Sequence, residues 1–195
     1  HHHNSPEEAE ALSASLAQIG GNSCVVTGEP EIAGTAAELI TASREALGGP
    51  IDGLVNNASM FAYDALPLSD FELLDRHMRI NLGAPVALAS ALAGQDDLDE
   101  GAVVSLLDQK LANLNPDFFT YSCSKAALEA ATTMMAQALS PRIRVNAVSP
   151  GLTLPSLDQT PEEFAEHARQ NLLQRPVALD EIASTVEHLL TARSI

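Results

Sequence analysis

Tyr121 and Lys125, in Tyr121-Ser-Cys-Ser-Lys125, stand four residues apart. On a helix that spacing puts both side chains on one face, one turn from each other. A free tyrosine ionises near pH ~10, so its hydroxyl is a poor proton carrier at neutrality. An ammonium one turn away favours the phenolate and is expected to bring the hydroxyl into a range useful for passing one proton to a reacting oxygen or nitrogen. Asp108 lies thirteen residues before Tyr121, closing the run Val103-Val-Ser-Leu-Leu-Asp108. Without further context, the three are a buried tyrosine, a surface lysine and a strand-end carboxylate.

The elements that must position them alternate along the chain. Ser5-Pro-Glu-Glu8 reads as a helix start, with serine at the N-cap, proline at N1 and Glu8 closing a capping box. Ala9, Leu12, Leu16 and Ile19 continue that helix at helical spacing until Gly20-Gly21. The pattern then predicts strands over Ser23 to Thr27, Ile51 to Val55, Ala102 to Leu107 and Ile143 to Val148. Helices are predicted over Ile32 to Leu47, Asp70 to Leu92, Ser122 to Leu139, Pro161 to Asn171 and Leu179 to Ala192. Apolar strands alternating with helices imply an α/β fold, a parallel sheet covered by helices on both faces. At 195 residues with 46% hydrophobic content, the whole chain, 1–195, fits one domain.

Three further segments follow in order: Leu54-Val-Asn-Asn-Ala-Ser59, Asn81 within Arg79-Ile-Asn-Leu82, and Asn146-Ala-Val-Ser-Pro-Gly151. With Tyr121 and Lys125 they resemble, from end to end, the short-chain dehydrogenase/reductase family. Its hallmarks are an Asn-Asn-Ala-Gly stretch, a helix asparagine, Tyr-x-x-x-Lys and a Pro-Gly turn. The resemblance implies a Rossmann-like doubly wound sheet, with Tyr121 as proton donor, Lys125 on the nicotinamide ribose and Asn81 supporting a relay water. Asn57, Ala58, Ser59, Pro150 and Gly151 would lie against the cofactor. Asn56 is as well placed for sheet support as for ligand contact.

Most of the family carries a serine where Asp108 stands, and Ser105, sixteen residues before Tyr121, is too far upstream for that place. An aspartate there is similar to the pteridine reductases, which reduce dihydropterins and sometimes folates. Asn57-Ala-Ser-Met-Phe61 resembles the Asn-Ala-Ser-x-Phe of that branch, whose phenylalanine stacks a flat pterin. His1-His-His-Asn-Ser5 resembles its His-x-His-Arg-Ser, which grips the 2′-phosphate of NADPH, with Asn4 in place of the arginine. The resemblance thus adds His3, Asn4 and Ser5 to the cofactor-binding residues, and Phe61, Asp108 and Tyr121 as substrate contacts. No glycine-rich pyrophosphate turn occurs in the sequence. The family's first strand with that turn, and its last strand, are expected to be missing from these residues.

A formal charge of −16 argues against nucleic acid or an anionic membrane surface as partner. Cys24 and Cys123 lack metal or disulfide spacing, and no metal site is expected. His77, His167 and His188 read as solvated. The expectation is a cytoplasmic enzyme acting on a small molecule with NADPH, assembled as a homotetramer or homodimer through the helices around Asn81 and Met134. The leading reading is a dihydropterin reductase. A ketone or ketoacyl reductase on the same scaffold is the second, and a non-catalytic nucleotide-binding or scaffold protein the third.

Overall fold

Strands β1 (Gly53–Asn56), β2 (Gly101–Leu106) and β3 (Ile143–Val148) form a parallel sheet in the order β1-β2-β3. β1 sets Asn56 beside Ser105, and β2 sets Leu106 beside Val148, so the strands end level at their carboxyl ends. The computed structural model describes residues 1–2, 5–68, 71–156 and 159–195.

Strand alternation separates two faces. Val103, Ile143 and Val145 point to one, where they join Ile40, Ala89, Leu92 and Leu98 in the main apolar cluster. That layer is built by α2 (Thr35–Leu47), α4 (Ala84–Ala93) and α5 (Phe119–Leu139). Arg144 points the other way, and its guanidinium donates to the carbonyls of Leu189 and Leu190 at 2.8 Å each, near the end of α7 (Leu179–Thr191). Helices therefore cover both faces, as the alternation implies. Among the described residues no helix is long and apolar enough to cross a membrane.

Gln95 fixes where β1 begins. Its amide donates to Ile51 O at 2.8 Å and Leu92 O at 2.9 Å, and its oxygen accepts from Ile51 N and Arg44 Nη1. These bonds tie the residues just past α4 to α2 and to Ile51, two residues before β1, through one buried side chain.

The helix predicted from Asp70 is α3 (Phe71–Met78), a π-helical turn (Arg79–Gly83) and α4 in continuous succession; Asp70 itself lies outside the described residues. The sequence carries the cause. Pro85 has no N–H to donate to the carbonyl four residues back, which is that of Asn81, and a wider turn accommodates the loss.

Other expectations are corrected. Among the described residues, 23–27 make one isolated bridge, Thr27 beside His2, rather than a strand. α1 (Pro6–Gln18) begins at the predicted Ser5, but the Ser5 side chain makes no cap bond. The same pattern at Thr160-Pro-Glu-Glu163 does form the box at the start of α6 (Pro161–Gln170), with Glu163 N donating to Thr160 Oγ1 and Thr160 N to Glu163 Oε2. Ser5 has φ −126° and ψ 60°, whereas Thr160 has the extended φ −72° and ψ 157° that aims its oxygen along the helix. α1 buries no residue.

His77 is also corrected: it is fully buried in α3, against α5, with Nδ1 2.8 Å from Thr120 Oγ1. Its Nε2 is buried with no hydrogen-bond partner among the described residues. Burial holds the imidazole below its ordinary value, with the Asp64 charge opposing and the Arg76 charge adding to the shift. The unfolded chain then takes up the proton first on acidification, so this group's share of stability is present above pH ~6.5 and is lost below it. Thermal melts from pH 7.5 to 5 are expected to show a falling midpoint that His77→Gln makes shallower in this window. Equal slopes in both proteins would show that the folded imidazole takes up its proton in the same range as the unfolded chain's.

Candidate active site

Asp108, Tyr121, Lys125 and Phe61 converge beyond the carboxyl ends of β1 and β2, where ligands bind in open α/β sheets. β2 runs out at Leu106, and Asp108 caps the short 3₁₀ turn Gln109–Ala112 by accepting Lys110 N at Oδ1, 2.8 Å. Its other oxygen, Oδ2, accepts from the Tyr121 hydroxyl at 2.7 Å. One carboxylate thus joins the end of a strand to the first turn of α5.

Tyr121 is 5% exposed and Lys125 3% exposed, both on the inward face of α5. The Lys125 ammonium donates to Leu106 O at 2.7 Å and lies 5.9 Å from the centre of the Tyr121 ring. The electrostatics differ from the sequence expectation. Burial first, then the hydrogen bond and charge of Asp108, push the Tyr121 hydroxyl well above its usual value. A carboxylate accepting the proton of a phenol stabilises the neutral phenol, and here it adds to the effect of burial. Burial lowers Lys125 to about 8, with the Asp108 charge pulling it back up. The geometry therefore holds a neutral hydroxyl, a carboxylate and an amine that loses its charge more easily than a solvated lysine.

Asn81 sits in the π-helical turn, 1% exposed, and its side chain makes four bonds. Oδ1 accepts from Met60 N at 2.7 Å and Ser59 Oγ at 3.1 Å, while Nδ2 donates to Met60 O at 2.9 Å and Ser124 Oγ at 3.0 Å. Two lone pairs and two N–H groups are all taken, so the amide has no position left for a relay water. Any relay water held by this residue would rest on its main-chain carbonyl, to which Pro85 has no N–H to donate. Asn56 Nδ2 donates to Ser105 Oγ at 3.2 Å between β1 and β2, a sheet-supporting bond.

A cleft of about 1190 Å³ extends from the segment Asn22–Val26 across the end of β1 and is lined by Asn57, Ala58 and Ser59. Arg76 and Arg79 line its helical wall, and Glu29 and Glu31 the opposite one. Pro150 and Gly151 lie apart from this cleft, at the end of β3, where Gln109 N donates to Pro150 O at 3.1 Å. A Cβ on Gly151 would meet Val177 Cγ2 at 3.1 Å, so the turn packs closely against the segment leading to α7. Ser5 is exposed at the start of α1. His3 and Asn4 lie outside the described residues.

Phe61 stacks on Phe118, ring centres 4.3 Å apart and 13° from parallel, and meets the Tyr121 ring edge-on at 4.8 Å. Tyr63 closes on Phe118 from another side at 5.1 Å. Sequence reading missed Phe118, Tyr63 and Asp64. Asp64 accepts Thr120 N at Oδ1, 3.1 Å, and so holds the first turn of α5 beside Tyr121. The sequence signal for it was a carboxylate next to an aromatic in the Phe61 loop, 56 residues from its partner.

A family model described as enoyl-(acyl carrier protein) reductase matches residues 2–194. The structure of FolM alternative dihydrofolate reductase 1 from Brucella canis, complexed with NADP, is 42% identical with a TM-score of 0.94, covering 100% of this chain and 77% of that one. The Brucella suis protein, also in complex with NADP, is 43% identical, again with a TM-score of 0.94 and with 78% of it covered. Human L-xylulose reductase is 32% identical over 162 residues, 78% of this chain. The chain spans 66% of the length of that relative and 59% of the Caenorhabditis elegans L-xylulose reductase. With the match running through every segment that builds this site, the chain belongs to the short-chain dehydrogenase/reductase family and resembles its pteridine-reducing branch.

Proposed function

We propose that the protein, as a single domain over 1–195, reduces the C=N bond of a dihydropterin with NADPH. The observation that carries this reading is the 2.7 Å hydrogen bond from Tyr121 to Asp108. A ketone substrate develops one oxyanion, which favours neutral donors. A pterin instead offers N–H groups, and a carboxylate is the acceptor that orients them.

The residues present fit a dinucleotide. The cleft of about 1190 Å³ is at the carboxyl end of β1 and runs alongside Asn57, Ala58 and Ser59, and the relatives from Brucella are complexed with NADP. When bound there, NADPH supplies the hydride. Lys125 would hold its ribose, Pro150 and Gly151 would border the nicotinamide end, and His3, Asn4 and Ser5 would take the 2′-phosphate.

The chain's own groups do the rest. Asp108 accepts an N–H of the ring and thereby releases the Tyr121 hydroxyl. Tyr121 passes its proton to the ring nitrogen, and the Lys125 ammonium stabilises the phenolate that results. A water on the Asn81 carbonyl returns a proton. Phe61 packs a face of the flat ring. The exposed side of α5 around Met134, 62% exposed, supports assembly as a homodimer or homotetramer, and the acidic surface supports a cytoplasmic location without nucleic-acid or membrane partners.

Carbonyl reduction is the second reading, favoured by pig carbonyl reductase [NADPH] 2 and human L-xylulose reductase among the relatives. NADPH oxidation by the complete gene product separates the two. Tyr121→Phe is expected to lower kcat on dihydrobiopterin at least ~100-fold, the usual range for losing a general acid. Asp108→Ser is expected to abolish pterin turnover; retained ketone turnover with no wild-type pterin activity supports the second reading instead.

The lowered Lys125 predicts a pH profile. Its ammonium is present below and lost above about 8, so kcat/KM for NADPH, which reports the free enzyme, is expected to fall on an alkaline limb near that value. Lys125→Arg is expected to remove the limb. A flat profile up to pH ~10 would show that the charge of this residue has no part in turnover.

A further inference from the structure

Helix α5 begins without a cap from its own N-cap residue. Phe118 stands at that position, makes no side-chain cap bond and holds the left-handed φ 54° and ψ 49°. The free N–H groups of the first turn are met instead from the loop that follows β1. Asp64 O accepts Phe119 N at 3.3 Å, and the Asp64 carboxylate accepts Thr120 N, with Oδ1 at 3.1 Å and Oδ2 at 3.3 Å. A side-chain oxygen on the second N–H of a helix is the bond that an N-cap residue ordinarily makes. Here a carboxylate 56 residues away makes it, at the helix end where the dipole favours negative charge.

Thr120 is held from a second side. Its Oγ1 lies 2.8 Å from Nδ1 of His77 in α3, and both residues are fully buried. The next residue is Tyr121, whose hydroxyl reaches Asp108 Oδ2 at 2.7 Å and whose ring meets Phe61 edge-on at 4.8 Å. Phe61 and Asp64 belong to one short stretch, Phe61-Ala-Tyr-Asp64. That stretch supplies both the aromatic neighbour of the tyrosine and the acceptor that seats its helix.

We propose that Asp64 is a positioning residue for proton transfer, acting through Thr120 to set the place of the Tyr121 hydroxyl. The proposal rests on Tyr121 as proton donor and holds for a pterin or a ketone substrate. Asp64 acts at a distance from the reaction, because both its carboxylate oxygens are turned to one main-chain N–H. The next turn of α5 has anchors of its own: Ser124 accepts from Asn81 Nδ2, and Lys125 donates to Leu106 O. Loss of the Asp64 bond therefore loosens the turn that carries Tyr121 and leaves the lysine in place.

The test measures NADPH oxidation with 7,8-dihydrobiopterin and with a panel of small ketones, on the complete protein, in Asp64→Ala, Asp64→Asn and Asp64→Glu. Asparagine keeps an oxygen at the same reach and caps helices about as well as aspartate. Glutamate keeps the charge and carries the acceptor one methylene away. The expected result is a kcat lower by about tenfold to about 100-fold in Asp64→Ala and Asp64→Glu, the range for a small misplacement of a reacting group. KM for NADPH is expected to stay in place, and Asp64→Asn to keep most of the wild-type kcat. A second readout needs no turnover. With tyrosine isotope-labelled at Cζ, the NMR resonance that Tyr121→Phe removes is expected to move in Asp64→Ala toward its position in Asp108→Ala, and to stay put in Asp64→Asn. Should Asp64→Ala not fold, the contrast between Asp64→Asn and Asp64→Glu decides alone.

Unchanged kcat and an unmoved resonance in Asp64→Ala and Asp64→Glu overturn the proposal. A loss in Asp64→Asn as large as in Asp64→Glu also overturns it, because charge rather than position would then be what Asp64 supplies. If wild type turns over ketones alone, the pterin reading fails while the same kcat ratios on a ketone support the positioning role. If wild type turns over neither, proton donation by Tyr121 is overturned and this role with it.

Discussion

The site depends on four hydrogen bonds made by one buried amide. Asn81 clasps the main chain of Met60 in both directions, takes the hydroxyl of Ser59 and gives its remaining N–H to Ser124. The first three hold the loop that leaves β1, which carries the cleft residues and Phe61. The fourth reaches α5 one residue before Lys125. A single side chain therefore fixes the spacing between cleft and proton-carrying helix, and the π-helical turn is what delivers it there. An α-helical turn in its place would rotate every following residue by about 100° and carry the amide away from the loop. In a low-dielectric interior such a network is worth keeping only when every member is satisfied, and here all four positions of the amide are.

On this frame, burial and Asp108 together set the charge state of the centre. Burial already favours the neutral phenol, and the carboxylate adds to it. With the carboxylate as acceptor, the same phenol stays neutral and its proton is aimed at an oxygen that a ligand's N–H can occupy instead. Under the proposed function, ligand binding and proton release would be linked through one acceptor: filling Asp108 from the ligand side would free the hydroxyl. This differs from a mechanism in which lysine tunes tyrosine in advance of binding. Lys125 makes its strongest contact to Leu106 O, at the end of β2, so its position is set by the sheet rather than by the tyrosine.

The sequence was most readable where local pattern and tertiary packing agree. β3 lies over the predicted Ile143–Val148, and α5 and α7 begin or end within a few residues of their patterns. Tyr121, Lys125, Asp108 and Asn81 meet because their elements are set by parallel pairing, whose register follows from apolar strands. What was not readable depends on partners distant in the chain. His77 looks like a solvated histidine until Thr120, 43 residues away, is known to face it. Ser5 and Thr160 share the same four-residue pattern, yet only the backbone angles at Thr160 allow the box. The π-helical turn had a legible cause in Pro85, but the direction in which Asn81 then points did not.

Phe118 shows how far geometry can move a reading drawn from a family resemblance. That resemblance assigns Phe61 the stacking of a flat ring, and the structure finds it already stacked, 4.3 Å from Phe118. Phe118 holds this place at φ 54° and ψ 49°, a left-handed backbone that a bulky residue rarely adopts and that costs on the order of 1–2 kcal/mol. The stack on Phe61, the edge contact with Tyr63 and the bond from Phe119 N to Asp64 O sustain it. While Phe118 occupies one face, a flat ligand has only the other face of Phe61 to use. The aromatic pair is then a wall with a fixed backing, and stacking fixes the plane of the ring. Under the proposed function, discrimination among rings falls to the hydrogen bonds that Asp108 accepts.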